Sequence, residues 1–286
     1  MSITIRAFDG SLDDAEGLLA VERATFNECP YRADQVWPML TDGPQRAWLA
    51  VGEGNVVGFA IAFATNALRG LSWEVDLLAV HPDWTGRGLA TRLIRAAAAY
   101  GTRVALQARA VVAADNAAST RAFAQAGFRS APELCKLLIY RLQGLAPRSW
   151  SAPSVTVRET DNLADAADWL AGLSPTQDHP NLTLLLAEQE GRPAGYAELI
   201  EVQTLLYRGV WIESLVASAW AVREALAQQA VSRAKTSGLD EIGALVPQSN
   251  WPLQQTFLAE GFRSLGDFRW FTAELPLPGP AGKDHV

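Results

Sequence analysis

The loop at residues 81–88, HPDWTGRG, has residue types and a spacing that suit anion binding. It follows an apolar segment and precedes a predicted helix. Gly86 and Gly88 can adopt backbone angles closed to other residues, and they let a ligand approach the main chain. Amides at the start of the helix, at the positive end of its dipole, suit a pyrophosphate. Three arginines add positive charge nearby: Arg87, Arg92 and Arg95. By itself the loop is equally compatible with a tight turn.

Two carboxylates precede this loop on the apolar segment at 73–80, WEVDLLAV. Glu74 and Asp76 are two residues apart, so on a strand they share one face. Carboxylates that are positioned on a strand can act as proton acceptors in general acid–base catalysis. The alternative is that both are solvent-facing carboxylates on a half-buried strand. His81 is interpreted as a strand-end residue rather than a base.

The elements around these residues occur twice in the chain, which predicts a tandem duplication. Residues 116–130 read NAASTRAFAQAGFRS and residues 250–264 read NWPLQQTFLAEGFRS, an offset of 134. Further matches follow at offsets of 137 and 138, respectively: Gly58 with Gly195, and Trp73 with Trp211. We predict a first domain at 1–146, a second at 152–276 and a flexible tail at 277–286.

Each copy is predicted to mix strands and helices in one order. In the first copy we expect strands near 3–8, 47–52, 56–64, 73–80, 103–111 and 134–142, and helices near 12–26, 88–100 and 116–126. A turn at Glu53-Gly54-Asn55 predicts a hairpin. The order is typical of an α/β (α+β layered) fold, in which a mixed, mostly antiparallel sheet is flanked by helices.

The second copy has lost the glycine loop. No glycine occurs between 210 and 237, and SAWAVREALA stands where the first copy has HPDWTGRGLA. Glu224 falls near the expected anion site and would repel a pyrophosphate. We therefore expect the second copy to keep the fold without the anion site. It would then complete a substrate pocket of the first copy, stabilise the first copy or mediate association.

The composition favours a cytoplasmic protein. Apolar residues make up 49% of the 286 positions, no apolar run approaches a membrane span, and the two cysteines are too few for a disulfide framework. A net charge of −7 argues against a nucleic-acid partner and agrees with a cationic substrate. We expect no membrane and no nucleic-acid partner, and a homodimer stays open.

The two motifs together resemble the GNAT superfamily of acyl-CoA-dependent N-acetyltransferases, and the tandem arrangement is similar to that of mycothiol synthase. The first signature falls on Val80-His81-Pro82 and on residues 85–90, and the second on Asn116, Phe123 and Gly127-Phe128. The resemblance implies acetyl-CoA as acyl donor, no metal, and the following cofactor-binding residues: Leu78, Ala79, Val80, Thr85, Gly86, Arg87, Gly88, Leu89, Ala90, Thr91, Asn116 and Phe123. It implies that amides at 86–91 hold the pyrophosphate and that main-chain groups at 78–80 pair with the pantetheine arm.

The resemblance also bears on catalysis. Glu74 lies six residues before Val80, where the histone-acetylating branch carries its base, so Glu74 is the preferred proton acceptor and Asp76 the reserve. Thr85 stands where the family usually has Gln or Arg. Phe123 stands where many members have a Tyr that protonates the leaving thiolate, so the general acid is unassigned.

We therefore expect direct transfer of an acetyl group from acetyl-CoA to a primary amine of a small molecule or peptide, in the N-terminal domain. The alternatives are a CoA-binding pseudoenzyme or sensor without transfer activity, and a structural or interaction protein. Residues 28–31, with Glu28, Cys29 and Tyr31, lie in the variable stretch where relatives build an acceptor pocket. A plain loop is the preferred interpretation of these residues.

Overall fold

The computed structural model describes residues 2–26, 31–142, 154–161, 181–205 and 207–277. In chain order the elements are β1 (Ile3–Ala7), α1 (Leu12–Phe26), α2 (Ala33–Thr41), β2 (Arg46–Gly52), β3 (Asn55–Ala67), β4 (Gly70–Val80), a short 3₁₀ helix (Pro82–Trp84), α3 (Leu89–Gly101), β5 (Gln107–Ala113), α4 (Ala117–Ala126), β6 (Arg129–Arg141), β7 (Val155–Thr160), β8 (Leu182–Gln189), β9 (Arg192–Gln203), β10 (Arg208–Ala217), α5 (Trp220–Thr236), β11 (Glu241–Pro247), α6 (Trp251–Ala259) and β12 (Arg263–Glu274). Most of the linker around 144–154 and the tail from 278 lie outside the described residues.

The predicted order of the first copy and the mixed, mostly antiparallel fold class are confirmed. Two strands differ in position from the prediction: β6 begins at Arg129 rather than near 134, and β5 begins at Gln107 rather than near 103. The intervening residues close the end of α3: the amide of Arg103 donates to Tyr100 O at 3.0 Å, and that of Ala105 to Gly101 O at 2.9 Å. None of the helices in the described ranges is long and apolar enough to cross a membrane.

The chain divides into two compact units. Unit 1 contains the described residues up to Thr65, residues 71–132 and the described residues from Arg269. Its strands follow the order β1-β2-β3-β4-β5-β12. Helices α3 and α4 cover one face, where a core forms from aromatic and aliphatic side chains that include Trp48, Trp73, Leu93 and Phe123. The ring nitrogen of Trp73 donates to Ala97 O at 3.0 Å and joins β4 to α3.

Unit 2 contains residues 66–70 and the described part of 133–268. Its strands follow the order β6-β11-β10-β9-β8-β7, and its core includes Leu226, Ile242 and Phe257. The turn between β3 and β4 belongs to this unit, since the buried carboxylate of Glu198 accepts a hydrogen bond from the amide of Leu68. In the described residues, unit 2 thus repeats the strand order of unit 1, and α5 and α6 follow β10 and β11 as α3 and α4 follow β4 and β5.

The compact units depart from the boundaries predicted at 1–146 and 152–276, because the last strands of the two copies are exchanged. β6, from the first copy, pairs antiparallel with β11 of the second, from Arg141↔Glu241 to Cys135↔Pro247. The second half of β12 belongs to unit 1, where Phe271 is 1% exposed and its ring lies 5.6 Å from that of Phe123. Each core is therefore completed by a strand from the other copy.

We expect Phe271→Ala to lower the free energy of unfolding by about 3–5 kcal/mol, the usual cost of removing a fully buried phenylalanine ring. Urea titration measures the effect. Leu265 lies on the same strand but is 60% exposed, so Leu265→Ala should change the free energy by less than about 0.5 kcal/mol. Equal effects of the two substitutions would contradict the inclusion of β12 in the core of unit 1.

Candidate active site

The parallel pairing of β4 with β5 stops early and leaves an open edge. The register covers three residue pairs, from Ser72↔Gln107 to Glu74↔Arg109. Beyond it β4 runs on to Val80 and β5 to Ala113, and along the described chain no further pairs join them. We call this opening the slot. On either side of the slot, the facing edges of β4 and β5 do not pair with each other. An extended ligand could therefore pair with them as an added strand does.

The loop at 81–88 closes the outer end of the slot and is held by Trp84. A Cβ at Gly52 would lie 2.7 Å from the Trp84 ring, so the absence of a side chain there makes room for the indole. The guanidinium of Arg87 stacks on the same ring at 4.6 Å from its centroid. The hydroxyl of Thr85 donates to Pro82 O at 2.9 Å. Thr85 therefore closes the turn locally, and the tryptophan fixes the loop.

Gly86 and Gly88 give this loop the shape of an anion site. Their φ angles are +74° and +71°, in the left-handed region that disfavours side chains, and a Cβ at either would meet nothing within 4 Å. Gly88 is the N-cap of α3, and as a glycine it has no side chain that could cap the first amides of the helix. The first amides of α3 lack intrahelical acceptors and lie at the positive end of the helix dipole. The space beside the loop therefore suits a phosphate group.

Two of the three arginines predicted near the loop serve other contacts. Arg92 donates to Ile3 O at 2.8 Å, and Arg95 donates to Gln125 O at 2.7 Å. They join α3 to β1 and α4. Arg92 lies at the end of the first turn of α3 and Arg95 in the second, whereas Arg87 lies on the loop itself.

The equivalent position in unit 2 has no such loop. Two residues, Ser218 and Ala219, connect β10 to α5, whereas eight residues at 81–88 connect β4 to α3. Glu224 lies in the second turn of α5. The glycine that shapes the sheet is retained, since a Cβ at Gly195 would lie 2.4 Å from Val216 O. Unit 2 keeps the fold and lacks the glycine loop.

The repeated motif at 116–128 has a structural explanation in both copies. The side chain of Asn116 caps α4 by accepting from the amide of Ser119 at 3.0 Å, and Asn250 caps α6 by accepting from Leu253 at 3.3 Å. Gly127 ends α4 with φ +108°, and the amide of Phe128 donates to Phe123 O at 3.0 Å, which is a Schellman motif.

The Phe123 ring is buried in this arrangement, 5.2 Å from the Phe128 ring. Such a hydrophobic contact frequently accompanies a Schellman motif. In unit 2 the rings of Phe257 and Phe262 lie 4.7 Å apart in the same way. Asn116 and Phe123 therefore position α4, and Phe123 brings no hydroxyl.

The two carboxylates on β4 have different surroundings. Asp76 is exposed, whereas Glu74 is buried and is thus not a solvent-facing carboxylate. Glu74 Oε1 accepts from Thr65 Oγ1 at 2.6 Å and from Arg109 Nε at 2.7 Å. The Arg109 guanidinium also stacks on the Trp270 ring, 4.9 Å from its centroid.

Sequence reasoning missed Arg109 and Trp270. Arg109 alternates with apolar Ala108 and Ala110, which places it on the polar face of β5 and was an available signal. Trp270 belongs to the exchanged strand β12, and the local sequence holds no sign of that exchange.

The remaining candidates are less central. Glu28 and Cys29 lie outside the described residues, and Tyr31 O accepts from Arg23 at 3.5 Å. His81 Nδ1 accepts from the amide of Asp83 at 3.3 Å and caps the 3₁₀ helix. Burial raises the pKa of the Cys135 thiol, which therefore stays protonated at neutral pH. Across the described ranges, no group of three or more His, Cys, Asp or Glu side chains is arranged to hold a metal ion.

Comparison with solved structures supports the fold. The chain is similar to a GCN5-related N-acetyltransferase from Sphaerobacter thermophilus, with a TM-score of 0.62, 18% identity, and coverage of 97% of this chain and 96% of that one. A putative acetyltransferase from Pyrococcus horikoshii gives a TM-score of 0.57 at 16% identity over 96% and 90% of the two chains. A tandem GNAT protein from the clavulanic acid biosynthesis pathway gives 0.54 at 15% identity over 96% and 98%.

The sequence of the first copy is similar to one protein family. Residues 13–128 match the profile of the acetyltransferase (GNAT) family. No curated protein matches the sequence. The matched range contains the slot, the glycine loop and α4, and the folds of the similar structures extend over both units. Residues 13–128 are therefore similar to the acetyltransferase (GNAT) family, and the chain as a whole has the fold of tandem GNAT proteins.

Proposed function

We propose that unit 1 transfers an acetyl group from acetyl-CoA to a primary amine by direct attack. The observation that carries this proposal is the left-handed Gly86–Gly88 loop at the start of α3, beside the slot between β4 and β5. Unit 2 has a similar divergence of β10 and β11 without the loop. Transfer is therefore assigned to unit 1 alone.

The residues present fit acetyl-CoA. Amides from Gly86 to Thr91 would hold the pyrophosphate, because the loop leaves open space there and the first turn of α3 contains no carboxylate. Main-chain groups of Leu78, Ala79 and Val80 border the slot and would pair with the pantetheine arm. Asn116 and Phe123 would act through the placement of α4. When bound, acetyl-CoA supplies the activated thioester carbonyl that an amine attacks.

The proton of the amine needs an acceptor within reach of solvent and of the slot. The exposed Asp76 carboxylate lies two residues nearer than Glu74 to the outer end of the slot. The Glu74 carboxylate, by contrast, already accepts hydrogen bonds from Arg109 and Thr65. Asp76 is therefore our proposed proton acceptor. Glu74, the acceptor preferred from sequence, is assigned another role below.

We expect calorimetric titration with acetyl-CoA to give one site per chain. Unit 1 provides the glycine loop, whereas the two-residue connection between β10 and α5 in unit 2 is too short to form such a loop. A stoichiometry of two equivalent sites would contradict the assignment to unit 1. Release of CoA thiol across a panel of small-molecule and peptide amines then tests transfer.

The Phe123 environment favours one competing function. Phe123 has no hydroxyl and its ring is packed in the core, so this position supplies no proton to a leaving thiolate. A sensor that binds CoA without transfer would need no such donor. One-site binding of acetyl-CoA without thiol release for any amine of the panel would support the sensor. Release of thiol with one amine would exclude it.

A further inference from the structure

The inner end of the slot is closed by a charged pair. Glu74↔Arg109 is the last pair in the parallel register of β4 and β5, so these two side chains stand where the strands begin to diverge. With the pyrophosphate at residues 86–91, the pantetheine arm would run inward past Val80 and Leu78. Its acyl end would then face this pair.

Four side chains form one cluster at this point, which we call the branch-point cluster: Thr65, Glu74, Arg109 and Trp270. The side chains of Arg109 and Glu74 are only 12% and 11% exposed. A second guanidinium nitrogen of Arg109 also donates to Thr65 Oγ1 at 3.3 Å. A buried ion pair with further hydrogen bonds holds its geometry firmly, since loss of either partner leaves an uncompensated charge.

Unit 2 builds a similar divergence without this cluster. Its parallel register runs over four pairs, from Gly209↔Glu241 to Ile212↔Ala244, and both strands then continue. At the offsets that relate the copies, Ile212 stands for Glu74 and Gly243 for Arg109. The fold therefore does not require the cluster, which occurs in the unit that has the glycine loop.

We propose that the branch-point cluster positions the acyl end of acetyl-CoA, and that Glu74 contributes by holding Arg109 rather than by accepting a proton. This proposal rests on the proposed acetyl transfer in unit 1. Glu74 and Thr65 orient the guanidinium from one side, and the Trp270 ring supports it from another. The positioned guanidinium then fixes how far the arm enters the slot. Trp270 comes from the second copy, so that copy contributes to the site through β12.

Binding measurements on Arg109→Met test the positioning role without relying on turnover. Methionine keeps much of the length and removes the charge. The Kd for acetyl-CoA should rise by at least about tenfold, whereas the Kd for adenosine 3′,5′-bisphosphate, which has no pantetheine arm, should stay within about twofold. An unchanged Kd for acetyl-CoA would overturn the proposal, and so would an equal loss for both ligands.

Kinetics of Glu74→Gln separate positioning from proton transfer. Positioning predicts a KM for acetyl-CoA raised by roughly tenfold and a dependence of kcat on pH with the wild-type shape. A kcat lowered by about 10²–10⁴ that recovers as pH rises, with unchanged KM, would make Glu74 the base and overturn the proposal.

A double variant tests the proposal even if the single variants fail to fold. Glu74→Leu with Arg109→Met replaces the buried pair by apolar groups, which proteins often tolerate. It should fold and bind acetyl-CoA more tightly than Arg109→Met alone, because no unpaired carboxylate remains. Weaker binding than in the single variant would count against the cluster. If wild-type protein binds acetyl-CoA but releases no thiol with any amine, the proposed transfer fails, while the two binding comparisons still decide the positioning role.

Discussion

Gly88→Glu should abolish acetyl-CoA binding, with Kd raised by more than about 100-fold, or about 2.8 kcal/mol. Gly88 has φ +71°, so any side chain there is strained, and its Cβ would point into the open space beside the start of α3. A carboxylate in that space would repel a pyrophosphate and occupy the amides meant for it. Calorimetric titration measures the loss.

Gly54→Glu is the matched control for this experiment. Gly54 lies in the β2–β3 turn with φ +83°, and a Cβ there also meets nothing within 4 Å. The substitution therefore adds the same charge and a similar strain away from the loop. It should leave the Kd for acetyl-CoA within about twofold of wild type. Binding retained by Gly88→Glu would place the pyrophosphate elsewhere.

Asp76→Asn should lower kcat by about 10²–10⁴ at neutral pH, the usual contribution of a general base. An alkyl amine with a pKa near 10.4 is mostly protonated at pH 7, and asparagine cannot accept its proton. Activity should recover as pH rises and the free amine becomes common. The Kd for acetyl-CoA should change little, since the loop at 81–88 is untouched. A pH series of kcat with one amine of the panel measures both effects.

Two outcomes would show that Asp76 is not the proton acceptor. Full activity in Asp76→Asn together with a pH-reversible loss in Glu74→Gln would return the role to Glu74. Full kcat in both variants would exclude the carboxylates of β4, and water or a main-chain carbonyl would then take the proton.

Much of unit 1 could be predicted from the sequence because its signals are local. The hairpin at Glu53-Gly54-Asn55, the helix opened by Gly88 and the helix closed by Gly127 each depend on residues within a few positions. The glycine loop and its loss in the second copy could be read in the same way. Asn116 and Phe123 were predicted as cofactor-binding residues, and the contacts that they make in the structure are those of helix capping and core packing.

The exchange of β6 and β12 could not be predicted, since the two strands follow the same motif in each copy. Nothing in residues 129–141 or 263–274 favours β5 over β11 as a partner, because that choice depends on contacts far apart in the chain. The Glu74–Arg109 pair was missed for a similar reason. Its partners are 35 positions apart, and their register depends on the parallel pairing of β4 with β5.

The exchange of β12 also affects the folding of the protein during synthesis and the evolution of its second copy. On the ribosome, β5 is completed at Ala113, but its neighbour β12 begins only at Arg263, 150 positions later. Until then the nascent first copy has an open sheet edge, which is a site for aggregation or chaperone binding. A gene deletion that removed the second copy would remove Trp270 and Phe271 with it. If the proposed transfer takes place in unit 1, selection on that activity also preserves the second copy, even after the glycine loop of the second copy has been lost.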